Sequence, residues 1–113
     1  MARVVAFVPD LLFGSNVIGA LQVGGHDPVL VSAPDQLQGA LGGADVLIVD
    51  LTDDVEARIA ATRGADVKTL AFFSHVEADV KALATAAGFD LVVPRSRMAR
   101  ATVSLVDELL GQT

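Results

Sequence analysis

Several short runs in this chain are apolar at every position: "VVAFV" (4–8), "VLIV" (46–49) and "LAFF" (70–73). A strand with one wet face alternates apolar and polar residues. A strand that is apolar throughout is buried on both faces, which is the mark of a parallel sheet covered by helices. The runs fall far short of the ~18 residues that a membrane-spanning helix needs. They therefore specify a covered parallel sheet.

The segments between the runs have helical periodicity, and most end on glycine. Strand one spans about Val4–Val8, and helix one about Ser15–Val23, with Val17, Ile18 and Leu21 on one face. Strand two is "PVLVS" (28–32), after which Ser32 offers an N-cap to a short helix running to about Leu41. Strand three is "DVLIVDL" (45–51), and helix three covers about Asp53–Arg63. Acids open that helix and an arginine closes it, which suits its dipole; Asp54 and Arg58 are spaced for an i, i+4 pair. Strand four is "VKTLAFF" (67–73), and helix four covers about His75–Ala87, with Ser74 and Glu77 as a capping box. Strand five is "DLVV" (90–93), and helix five covers about Ser96–Leu110, capped by Ser96, with Met98, Leu105, Val106 and Leu109 facing inward. This is a flavodoxin-like (βα)5 fold, a three-layer sandwich with parallel strand order 2-1-3-4-5.

The remaining totals narrow the function. At 113 residues the chain is read as one domain, 1–113. It lacks cysteine, which excludes disulfides and thiol-based metal sites or nucleophiles. A net charge of −6 argues against nucleic acid as partner, because that affinity rests on phosphate neutralisation. Absent Trp and Tyr, base-stacking platforms are not expected either. The first apolar run meets Pro9-Asp10 after five residues, unlike a secretory signal, so a cytoplasmic location is expected.

Function in such a sheet collects just after the strands. Asp10 follows strand one, Asp50 ends strand three, Ser74 and His75 follow strand four, and Arg95 follows strand five. Two carboxylates, a hydroxyl and a cation would meet on one rim. Carboxylate pairs hold hard cations such as Mg²⁺, here weakly, through Asp10 and Asp50. Ser74, Arg95 and Arg97 suit a phosphoryl group or another anion. Three of the eight cations, Arg95, Arg97 and Arg100, lie within six residues of an otherwise acidic chain. Asp10 and Asp50 could be their internal partners, or a bound anion could be.

These rim residues resemble those of response-regulator receiver domains, and the likeness covers the whole chain in element order. It implies that Asp50, in "VLIVDL", is the phosphoacceptor, that Asp10 is what remains of an acidic pair, and that Ser74 matches a hydroxyl at the end of strand four. It aligns Arg95, in "VVPRS", with a lysine after strand five. Two departures stand out. Pro9 occupies the place of an acid, and arginine is not equivalent to lysine at a tight site. The resemblance is thus to an atypical or pseudo-receiver, and also to small uncharacterised bacterial proteins with patterns like "DLLFGS", "FSHV" and "PRS".

The expectation is a stand-alone receiver-like signalling or protein-interaction module with a degenerate phosphoacceptor site. Its partner, or a second copy, would bind through helix four, strand five and helix five, where helix four is rich in small residues. The alternative is a flavodoxin-like protein that binds a small anionic or phosphorylated ligand. A third reading, an enzyme using His75 as acid or base, lacks a nucleophile to pair with it. "PDLLFGSN" (9–16) reads as a loop in which Phe13 either tucks beneath or forms a lid beside Asp10. His26, in a turn at the other end of the sheet, reads as solvated.

Overall fold

The computed structural model describes residues 2–74 and 78–111. Its strands are β1 (Arg3–Phe7), β2 (Asp27–Val31), β3 (Val46–Asp50), β4 (Lys68–Phe73) and β5 (Leu91–Pro94). Its helices are α1 (Leu11–Val23), α2 (Pro34–Leu41), α3 (Val55–Thr62), α4 (Ala78–Ala86) and α5 (Arg95–Leu109). All strand pairs are parallel, in order β2-β1-β3-β4-β5.

Strand alternation sorts the apolar runs into two layers of core. Val4, Ala6, Val8, Ile48 and Phe72 face α1 and α5, and pack with Phe13, Leu21, Met98 and Leu105. Val5, Phe7, Leu47, Val49 and Phe73 face the other way and pack with Leu37, Ile59, Val80 and Ala84. Every residue of β3 is buried, Asp50 included. Runs apolar at each position are therefore what a doubly covered sheet needs.

Helix starts depart from the sequence reading in ways that matter for the site. Helix α1 begins at Leu11, not Ser15, because the Asp10 carboxylate accepts the N–H of Phe13 at 3.1 Å and caps it. "PDLLFGSN" is thus the cap and first turns of a helix rather than a loop. Ser32 is not a cap: α2 starts after Ala33 with no side-chain cap, and the Ser32 N–H donates to Gln36. Nor does Ser96 cap α5, which is preceded by Pro94 and begins at Arg95. A proline there fixes an extended φ and leaves the following residue free to open the helix. Helix α3 starts at Val55, because Asp54 takes a left-handed conformation (φ 46°) that an L side chain such as Asp tolerates in a turn. The capping box of Ser74 and Glu77 and the position of His75 lie outside the described residues.

At the opposite end of the sheet, Gly43 and Gly88 turn with positive φ, and the aspartate two positions later opens the next strand region. The Asp45 carboxylate accepts the N–H of Arg3 at 3.0 Å, and that of Asp90 accepts the N–H of Thr69 at 2.9 Å. These acids satisfy donors at the ends of neighbouring strands. His26 also lies at this end, and it is buried rather than solvated: its Nδ1 accepts from Ala2 N–H and its Nε2 lies 2.9 Å from Asp107.

Candidate functional site

The carboxyl ends of the strands carry Asp10, Asp50, Ser74 and Arg95. Asp50 closes the buried strand β3 and is itself only 3% exposed. A carboxylate at that depth needs partners. Oδ1 of Asp50 accepts the N–H of Thr52 at 2.8 Å and its hydroxyl at 2.5 Å. Oδ2 faces Nη1 of Arg58 at 3.7 Å, and the same nitrogen donates to the Asp50 carbonyl at 3.0 Å. Arg58 comes from the second turn of α3, and its side chain is nearly buried. Its backbone N–H bonds to the Asp54 carbonyl, so the helix begins one turn earlier and projects the guanidinium back over β3.

Arg95 is engaged elsewhere. Its guanidinium lies 3.7 Å from Oδ2 of Asp10, with both side chains half-exposed. It also sits over the ring of Phe13, 4.4 Å from the centroid. Phe13 is buried against Phe72, with ring centroids 4.9 Å apart. Phe72 pairs with Asp50 in the register of β3 and β4. Phe13 is therefore a core ring under Arg95 rather than a lid, whereas Leu11 and Leu12 beside it are exposed.

Sequence spacing pairs Arg58 with Asp54 and leaves Asp10 and Asp50 both open as partners of Arg95. Arg95 faces Asp10, and the cation facing Asp50 is Arg58. Spacing alone shows an i, i+4 acid for Arg58. It does not show that Asp54 leaves the helix, nor that a buried carboxylate eight residues back has the stronger claim on the charge. Arg97 and Arg100 are exposed on α5, and among the described residues neither has an acidic partner within ion-pair range. Ser74 is half-buried and lines a cavity of about 270 Å³ with Phe13, Arg95, Ser96 and Ala99.

The donor set does not fit a hard divalent cation. Mg²⁺ asks for an octahedron of oxygen ligands. All four carboxylate oxygens of Asp10 and Asp50 already face a protein donor or cation: Thr52, Arg58, Phe13 N–H and Arg95. Pro9 has no carboxylate to add. Among the described residues, no group of three or more acidic or histidine side chains is placed to hold a metal ion.

No family model matches the sequence, and no curated protein does. Solved structures do. The chain superimposes on a response regulator from Thermotoga maritima with a TM-score of 0.83 at 15% identity, covering 98% of both chains. A response regulator receiver protein from Burkholderia phymatum gives 0.82 at 20% identity, covering all of this chain and 98% of the other. The fold is that of a receiver domain. An atypical orphan response regulator, described as having a phosphorylation-independent regulatory mechanism, gives 0.77 at 14% identity, covering 96% of this chain and 95% of its own. Among the described residues, no helix of this receiver-like fold is long and apolar enough to cross a membrane.

Proposed function

We propose that this chain is a receiver-like module that signals by binding another protein, with a degenerate phosphoacceptor site at Asp50. The observation that carries this reading is the closed environment of Asp50. Its carboxylate is buried, hydrogen-bonded by Thr52 and faced by Arg58. A nucleophile whose lone pairs are already committed reacts poorly. Likeness of fold to an atypical orphan regulator supports the reading, since a receiver fold is there described with phosphorylation-independent regulation.

The face proposed for a partner or a second copy is α4, β5 and α5. Strand β5 is a sheet edge, and Leu83 on α4 is an exposed leucine beside it. Such a module works in the cytoplasm, without membrane or nucleic acid. The chain needs no dedicated substrate, and a divalent cation at Asp10 and Asp50 is at most weakly held.

A second reading has one observation in its favour. The cavity between Phe13, Ser74, Arg95 and Ser96 is large enough for a small anion-bearing ligand. Binding of such a ligand without Mg²⁺ and lost on Arg95→Ala would favour it.

The deciding experiment treats the protein with an acyl phosphate and Mg²⁺ and follows intact mass. The expected result is no aspartyl-phosphate, and a partner capture that Asp50→Asn leaves unchanged. Stoichiometric, Mg²⁺-dependent phosphorylation that disappears in Asp50→Asn would overturn the reading.

A further inference from the structure

Helices α1 and α5 lie side by side on one face of the sheet, but they do not stay equally close. At the end away from the site they nearly touch: a Cβ placed on Gly24 would meet the Val103 side chain at 2.8 Å. Towards the site end, two cavities separate them. One, of about 210 Å³, is lined by Phe13, Asn16 and Val17 of α1 and by Ala99 and Thr102 of α5. The other, of about 270 Å³, shares Phe13 and Ala99 and adds Ser74, Arg95 and Ser96. We propose that the two cavities form one cleft for a single-chain amphiphile with a carboxylate head, the chemistry of a medium-chain fatty acid. The head meets Arg95, and the chain runs over Phe13 and past Ala99 towards Val17. This inference rests on the ligand-binding reading of the Arg95 cavity, names its ligand class, and does not depend on Asp50.

The cleft has a local cause. Within α5, Ala101 leaves helical geometry (φ −129°, ψ 29°) although it is neither proline nor glycine. The hydroxyl of buried Thr102 donates to the Met98 carbonyl at 2.6 Å, one turn back. A hydroxyl that bonds the i−4 carbonyl competes with the helix's own N–H and bends the helix. The part after the bend packs on the core through Leu105 and Val106, while the part before it follows its own course, pinned by fully buried Met98. Chemistry then sorts along the cleft. Arg95 is half-exposed, and its one ion pair among the described residues, to Asp10, is 3.7 Å long. Most of its five N–H donors remain for a planar carboxylate. A doubly charged head such as a phosphate monoester would be repelled more strongly by Asp10. The guanidinium also lies over the Phe13 ring, so the places for head and hydrocarbon adjoin. Further in, Phe13 and Val17 are apolar, and Ala99 leaves room where the cavities meet. A hydrocarbon chain there is removed from water on both sides.

The test titrates the full chain with octanoate below its micelle-forming concentration, and with 1-octanol, acetate and inorganic phosphate, following amide signals by NMR. Octanoate should shift the amides of Val17, Ala99 and Thr102 saturably and bind at least tenfold more tightly than octanol or acetate. Ala99→Leu fills the meeting point of the cavities from an exposed helix position, where leucine is well tolerated, and should abolish octanoate binding. Arg95→Ala should weaken octanoate at least fivefold and leave octanol unchanged. Asp10→Asn keeps an oxygen to cap α1 and removes the competing charge, so it should tighten octanoate. Arg100→Ala, outside the cleft, should change nothing. Octanoate that binds no better than acetate, or equally well to folded Ala99→Leu, would overturn the proposal. So would equal losses in Arg95→Ala and Arg100→Ala, which mean charge attraction without a site. Phosphate binding lost in Arg95→Ala, with no gain from a hydrocarbon chain, would preserve the ligand-binding reading and defeat this inference alone. Failure of all four compounds to bind would defeat both.

Discussion

Nη1 of Arg58 lies 3.7 Å from Oδ2 of Asp50 and 3.0 Å from its carbonyl oxygen, so one guanidinium fixes both the side chain and the backbone at the end of β3. The Arg95–Asp10 pair has the same separation, 3.7 Å, but different surroundings. The first pair is nearly buried, and the second is half in water. Equal distances therefore carry unequal energies, and burial decides which cation matters to the fold.

Removing Arg58 leaves a buried carboxylate without its counter-ion. Arg58→Ala is expected to destabilise the protein by about 3–5 kcal/mol, the range for breaking a buried pair from one side. Removing the charge from the other partner as well, in Arg58→Ala with Asp50→Asn, should recover part of that loss. Urea denaturation of the two single variants and the double variant measures the coupling. Additive effects would mean that the pair contributes nothing of its own.

Arg95 should behave differently. An exposed ion pair contributes ~0–1 kcal/mol, and an exposed cation–π contact about as much. Arg95→Ala, which removes both contacts, is expected to cost no more than about 2 kcal/mol, and the electrostatic part should fade in high salt. A loss several times larger, insensitive to salt, would show that Arg95 holds the fold in a way its half-exposed position does not suggest.

Much of this was legible in the sequence, and the residues show why. Fully apolar runs and glycine stops determine the element order, because burial on both faces leaves no polar position to spare. Asp50 is readable as a site candidate, since a charged residue ending such a run stands out. What the sequence does not display is competition for partners. Asp10 is equally readable as a loop acid or a helix cap, and its bond to the Phe13 N–H decides that α1 begins at Leu11. Arg58 has an acid four residues back at Asp54, yet the left-handed turn there removes Asp54 from the helix. His26 sits among turn residues and looks wet, while the acid that receives it is 81 positions away.

Phe13 joins the surface cation to the core. Its ring is buried against Phe72 and lies under the Arg95 guanidinium. Phe13→Ala should cost about 3–5 kcal/mol, as truncating a buried Phe does. Phe13→Leu should cost clearly less, because it keeps most of the apolar volume. If the ring were a surface lid, Phe13→Ala would instead be nearly neutral in chemical denaturation.

His26 ties three parts of the chain together at the other end of the sheet. Its Nδ1 accepts the N–H of Ala2 at 3.2 Å, a donor with no choice of role. Nε2 must then carry the proton, and it donates to Oδ1 of Asp107 on α5 at 2.9 Å. The side chain is only 4% exposed, so water cannot substitute for either bond. His26→Phe preserves the ring but orphans a buried N–H, and it should cost about 1–3 kcal/mol. Asp107→Asn keeps an oxygen that can accept from Nε2, and Asp107 is a third exposed, so its cost should stay below that of His26→Phe. Urea denaturation with unchanged slope gives both values. A neutral His26→Phe would mean that the Ala2 N–H finds another partner, and that this link between β1 and α5 contributes nothing to holding the two elements together.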